Sequence, residues 1–186
     1  MRVAPLPADQ WDDTVGKALT GLMPPERHNP QATGNLVATL VRHPKLTRAF
    51  LRFNFHLLYG STLPARLREL SVLRIAHLTQ CEYEWLHHVE MGRAAGLSDD
   101  VIAGIQRGEL SGGLDGSDEL DGAVLRAVDE LHHDSVVSDT TWAALQAHLD
   151  ERQLMDLVFT IGCYGSLAMA INTFGVEPDD NIETER

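Results

Sequence analysis

Apolar residues recur at three- and four-residue intervals along this chain, and no segment alternates apolar and polar residues over the length of a strand. The spacing is clearest between Pro64 and Gln80, where Leu67, Leu70, Leu73 (or Ile75) and Leu78 share a helical face. Proline stands where it opens helices: Pro44 and Pro64 head amphipathic runs, in the first turn, where a missing N–H removes no helical hydrogen bond. A chain patterned this way has to bury helix against helix. The predicted class is all-α, with seven or eight helices and short links.

The predicted organisation has three parts. Residues 1–32 form an N-terminal extension, with a short helix inside "ADQWDDTVGKALTGL" followed by the breaker-rich "MPPERHNPQATG". Residues 33–178 form the main helical domain, and residues 179–186 a flexible tail. Within the domain, helices are predicted over 35–43, 44–60, 64–80, 82–95 (stopped by Gly96), 97–108, 119–134, 138–149 and 151–175. Ser98 and Ser138 are placed to cap two of them, and Asp99 and Asp100 suit the first turn after Ser98. The Gly-rich 108–118 is predicted to be the most mobile internal loop.

Charge and composition narrow the function classes. The net charge of −12 argues against nucleic acid or an anionic membrane as partner. No apolar run approaches the roughly 20 residues needed to cross a bilayer, and "MRVAPLPADQWDD" lacks the apolar core of a signal peptide. Cys81 and Cys163 are too few for a disulfide framework, so a reducing cytoplasm is expected.

Chemistry concentrates in "ELSVLRIAHLTQCEYEWLHHVEMGRAAGLS", residues 69–98. At about 100° per residue, His88 falls about 20° from Cys81 and Glu84 about 60° from it, while His87 points elsewhere. Seven residues rise about 10 Å, so Cys81 and His88 do not touch along one helix. Glu84 and His88, at i and i+4, can. Glu69 reaches the same face if its helix packs antiparallel to the next. A helix N-terminus and a cationic His88 favour a Cys81 thiolate, whereas Glu69, Glu82 and Glu84 oppose it. Tyr83, Trp85 and His87 are weaker candidates for lining a substrate pocket; Tyr83 and Trp85 suit the core better, and His87 suits a solvated helix face. Cys163 reads as core packing.

Metal binding is the sharpest rival. Glu84 with His87, and Glu130 with His133, match the Glu-x-x-His pairs of di-iron carboxylate bundles. His87 faces away from Cys81, however, and the second pair sits at a helix end. The expectation is no metal and no cofactor.

The pattern Glu-x11-Cys-x-x-Glu-x-x-x-His (Glu69, Cys81, Glu84, His88), followed by "AAGLSDDVIAGI", resembles the carboxymuconolactone decarboxylase family. That superfamily includes the alkyl hydroperoxidase D-like proteins. The resemblance extends over roughly residues 35–178 and implies an alkyl hydroperoxidase D-like helical bundle. In alkyl hydroperoxidase D proteins the pattern is Glu, Cys-x-x-Cys, His, with the cysteines cycling through a disulfide while Glu and His relay protons. Here Glu84 replaces the second cysteine. The true lactone decarboxylases of the family use an acid–base site without the cysteine pair.

The resemblance therefore implies an enzyme with Glu69, Cys81, Glu84 and His88 as catalytic candidates. The leading expectation is a peroxidase-like, peroxiredoxin-type oxidoreductase acting on a hydroperoxide through Cys81. The second is a lyase or decarboxylase acting on a small carboxylated lactone or ring compound by Glu/His acid–base chemistry. A third is a non-catalytic oligomeric scaffold. Family habit and the small residues around Cys163 imply a homo-oligomer: dimer, trimer or hexamer.

Overall fold

Each helix of this chain begins or ends at a residue whose side chain or backbone angle accounts for the boundary. The computed structural model describes residues 1–109 and 119–179. Nine α-helices occur among them: α1 (Asp13–Leu19), α2 (Pro30–Leu40), α3 (Pro44–Phe55), α4 (Ala65–Leu78), α5 (Glu82–Ala94), α6 (Asp99–Gln106), α7 (Glu119–Asp134), α8 (Asp139–Gln146) and α9 (Glu151–Phe174). No strand is present among the described residues, and the class is all-α. The count exceeds the expected seven or eight by α1, the short helix of residues 1–32. Asp12, Ser98 and Ser138 accept from backbone N–H groups at their starts. The expected loop at 108–118 lies outside the described residues from 110 onward.

The chain divides into two units, Met1–Gly60 with the segment from Ala170, and Ser61–Met169. In the first, Leu6, Val15, Leu19, Val37, Val41 and Leu51 form a core, with Trp11 packed against it. Residues 1–32 thus contribute core side chains to this unit. The breaker-rich stretch also holds more helix than expected. Asn29 caps and Pro30 opens α2, and the true interruption is Gly34, at φ 78° and ψ 168°. Beyond it, the Asn35 N–H donates to the Asp179 carboxylate at 2.6 Å, and the Asn35 amide donates to the carbonyls of Glu177 and Pro178. Residues 177–179 are therefore tied down; the tail beyond 179 lies outside the described residues.

In the second unit α4 is the buried axis. Leu67, Glu69, Leu70, Val72, Leu73 and Ile75 are among its buried residues, and it packs against α5, α6 and α7. Two bidentate pairs fix it to α7: Arg66 with Asp121 at 2.5 and 2.6 Å, and Arg74 with Asp129 at 2.7 and 2.8 Å. The turn into α5 is tight. Gln80 takes a left-handed φ of 52°. Its N–H reaches the His77 carbonyl at 3.1 Å, and the Cys81 N–H reaches the Ala76 carbonyl at 2.9 Å. This double bond pattern closes α4 and reverses the chain.

Within the same unit, Leu154, Leu157, Ile161, Tyr164, Leu167 and Ala168 of α9 are buried, whereas Met155, Phe159 and Met169 are 61%, 55% and 66% exposed. One sequence expectation changes here. α9, at 24 residues, contains an 18-residue stretch long and apolar enough to span a bilayer by length and composition. Half of that stretch is buried inside the protein, as in a core helix.

Candidate active site

Glu69 lies on α4 and His88 on α5, nineteen positions apart, and the structure joins them: His88 Nδ1 is 2.7 Å from Glu69 Oε2. The contacts Ala76–Cys81 and Glu69–His88 pair residues ever farther from the turn, so α4 and α5 run antiparallel, with Cys81 at the turn. Gly92 permits the close approach. A Cβ there would lie 3.1 Å from Leu97 Cδ1, 3.2 Å from Leu73 Cδ1 and 3.9 Å from Glu69 Cβ. Glu69 is fully buried, and its second oxygen accepts from Arg68 Nε at 2.9 Å. Burial works to raise its pKa. The hydrogen bonds and charges of His88 and Arg68 outweigh that and hold it below the ordinary carboxylate value.

Cys81 is the N-cap residue of α5. A peroxide nucleophile calls for a partly exposed thiol whose thiolate forms near neutral pH. The side chain is instead 1% exposed, and its pKa is pushed up to about 12. Burial is the main cause and the Glu84 charge the next. The amides of Glu84 and Tyr83 at the helix N-terminus pull the other way and are outweighed. At pH 7 a thiol with a pKa of about 12 is thiolate in only about one molecule in 10⁵.

Glu84, one turn into α5, is 2% exposed. Among the described residues neither of its carboxyl oxygens has an oxygen or nitrogen hydrogen-bond partner; the polar group against it is the Cys81 thiol. Burial raises its pKa to about 8, and the Cys81 contact only partly offsets the rise. At neutral pH the resting site therefore pairs a thiol with a carboxylic acid, both protonated. On the same face of α5, four residues on, the His88 imidazole is anchored to a Glu69 carboxylate.

The weaker candidates diverge from this cluster. Tyr83 is buried and Trp85 half-buried. The half-buried His87 stacks on Tyr83 at 4.1 Å between ring centroids, and its Nδ1 lies 2.7 Å from the Tyr83 carbonyl oxygen, away from Glu69 and Cys81. The second Glu-x-x-His pair is also accounted for: Glu130 accepts from the Ser138 N–H and hydroxyl and from the Thr141 hydroxyl, at 2.7–2.9 Å, joining α7 to α8. Among the described residues no group of three or more His, Cys, Asp or Glu side chains is arranged to hold a metal ion. Neither cysteine is in a disulfide.

Three contributors were missed from sequence. Arg68 and Gly92 gave no signal beyond a surface-type charge and a helical glycine. Tyr164 of α9 lies edge-to-face with His88, centroids 4.9 Å apart and planes at 89°. It sits beside Cys163 in a stretch read only as core.

The sequence profile of the carboxymuconolactone decarboxylase family matches residues 44–113. No curated protein gave a match. Solved structures with the same fold include the alkylhydroperoxidase AhpD core, a peroxidase-related protein, from Ralstonia eutropha JMP134. It is 19% identical with a TM-score of 0.76, over 98% of this chain and 95% of that one. A peroxidase-related protein from Silicibacter sp. TM1040 is 12% identical, also at TM-score 0.76 with the same coverage of both chains. The debrominase Bmp8, in a cysteine-to-alanine variant bound to 2,3,4-tribromopyrrole, is 14% identical with a TM-score of 0.70, over 97% of this chain and 92% of that one. Over residues 44–113, less than half of its length, this chain is similar to the carboxymuconolactone decarboxylase family, and its helical fold is the one seen in the AhpD-like structures.

Proposed function

We propose that this protein is a one-cysteine, thiol-dependent oxidoreductase of the peroxiredoxin type, acting on a small hydroperoxide at Cys81. The observation that carries the reading is the pairing of the Cys81 thiol with the Glu84 carboxyl, one helical turn from the buried Glu69–His88 pair. The resting thiol is masked, so it requires a base at the moment of attack. Glu84, once it has lost its own proton, is that base. The Cys81 sulfur then attacks the terminal peroxide oxygen and the O–O bond breaks. The thiol proton passes through Glu84 to the departing alkoxide, leaving a sulfenic acid and an alcohol. A second, external thiol condenses with the sulfenic acid, releasing water, and a further thiol frees Cys81. The Glu69–His88 pair holds a proton-transfer group beside this chemistry. Peroxidase-related proteins and a debrominase captured in a cysteine-to-alanine variant, among the solved structures of this fold, support a thiol-centred reading. A protein whose two cysteines form no disulfide suits a reducing compartment such as the cytoplasm.

A second reading has its own observation. A buried carboxylic acid with a pKa of about 8 is suited to general acid catalysis near neutrality. It supports the lyase alternative, in which Glu84 and His88 move protons on a small carboxylated ring compound.

One comparison separates the two. Hydroperoxide turnover with an external thiol donor is expected in the wild type and lost in Cys81→Ser. If Cys81→Ser keeps full turnover of a carboxylated lactone, and dimedone traps nothing at Cys81 in the wild type after peroxide, the acid–base reading replaces the thiol one.

A further inference from the structure

The hydrogen bond at Nδ1 is what Glu69 contributes to the orientation of the His88 ring; rotation about the last side-chain bond would swap that nitrogen for a carbon and break it. Within α4 and α5, Glu69 supplies the hydrogen bond and Gly92 the clearance. The ring contact that the structure gives the imidazole comes from the third helix. Tyr164 of α9 is 2% exposed, among the largest fully buried side chains, and meets the His88 ring at 89° with centroids 4.9 Å apart. α9 meets α4 at the next residue, Gly165, where a Cβ would lie in ordinary contact, 3.7 Å, with Ile75 Cγ1. Tyr164 is therefore held at the meeting of the three helices, and an aromatic pair in this geometry is directional.

We infer that Tyr164 is a positioning residue: its ring sets the plane of the His88 imidazole so that Nδ1 stays on Glu69 and the other ring nitrogen stays available for proton transfer. The inference rests on the relay role given to His88 above. Its physical content, the ring orientation, is measurable without any substrate. The contact with His88 is made by the ring, so phenylalanine keeps it and an aliphatic side chain does not.

The experiment is ¹⁵N-edited NMR of the full chain without substrate, comparing wild type, Tyr164→Phe and Tyr164→Leu, each verified as folded by circular dichroism. The wild type and Tyr164→Phe are expected to show one slowly exchanging His88 Nδ1–H resonance, downfield as for an imidazole donating to a carboxylate. Tyr164→Leu is expected to lose or broaden it, and to lower turnover by about tenfold to a hundredfold, the range for a displaced proton-transfer group. If Tyr164→Leu does not fold, Tyr164→Met is measured in its place. An unchanged resonance in the aliphatic variant overturns the inference, as does its equal loss in Tyr164→Phe. If the resonance behaves as expected but no variant, wild type included, turns over a peroxide or a lactone, the functional proposal fails and the positioning role stands.

Discussion

At the scale of single residues, the site is governed by what burial does to two protons. A carboxyl with a folded pKa of about 8 and an ordinary value of 4.5 binds its proton more tightly in the folded state. Its cost to stability is therefore absent below about pH 4.5 and grows as pH rises toward 8. Glu84→Gln should raise the melting temperature at pH 8.5 and scarcely change it at pH 4.5, a difference worth a few kcal/mol (about 1.4 kcal/mol per pKa unit). Equal shifts at both pH values would show that Glu84 is not a buried neutral acid. Above about pH 8, where Glu84 carries its charge, the same variant removes that charge from beside Cys81, so its thiol should alkylate faster there. In the wild type, alkylation by iodoacetamide should climb about tenfold per pH unit from 7 to 9 without levelling; a plateau near pH 9 would indicate an ordinary exposed thiol. Glu69 has the opposite sign. Its lowered pKa means that its stabilisation is present above 4.5 and lost as pH falls below that. Replacing it with alanine leaves His88 and Arg68 facing an empty buried space, at a cost of about 3–5 kcal/mol. Urea melts at pH 7 report that loss.

At the scale of elements, two backbone features position α4 and α5. Gln80 occupies a left-handed angle that glycine tolerates far better. Gln80→Gly should relieve strain of about 1 kcal/mol, partly offset by greater freedom in the unfolded chain. A fall in stability would mean that the Gln80 side chain has a role beyond the turn. Gly92→Ala acts in the other direction. The new methyl would press on Leu97 and Leu73, beside the Glu69 stem, costing about 1–3 kcal/mol as overpacking. The strain falls between the helices that carry Glu69 and His88, so this variant should also disturb the His88 Nδ1–H resonance, which a remote destabilising change would leave in place.

For the whole molecule, the prediction concerns self-association. Met155, Phe159, Gly162, Ser166 and Met169 are exposed on one side of α9 at alternating four- and three-residue steps, the spacing of a helix–helix seam. A Cβ at Gly162 would meet nothing within 4 Å inside the chain, so no internal contact offsets the cost of a mid-helix glycine of about 1 kcal/mol. The protein is expected to be a homo-oligomer joined along this face. Light scattering at micromolar concentration should give a multiple of the 20.5 kDa chain mass, falling to one chain in Met155→Gln/Phe159→Gln/Met169→Gln. A monomeric wild type would exclude the arrangement.

The sequence alone determined the helical class, most helix boundaries and the grouping of Cys81, Glu84 and His88 on one face. Those follow from local rules: the 3.6-residue period, capping side chains and proline placement depend on neighbours only a few positions away. The helix inside "MPPERHNPQATG" was less legible, because a Pro30 that opens a helix and a Gly34 that breaks one both read as loop. Only the tertiary structure decided the chemistry. Whether the Cys81 thiol is thiolate, and whether Glu84 carries a proton, depends on how much water the packed helices remove from around them. The arrival of Tyr164 against His88, from a helix 76 positions further along the chain, depends on the same packing. Burial is a property of the assembled helices, and no short stretch of residues encodes it.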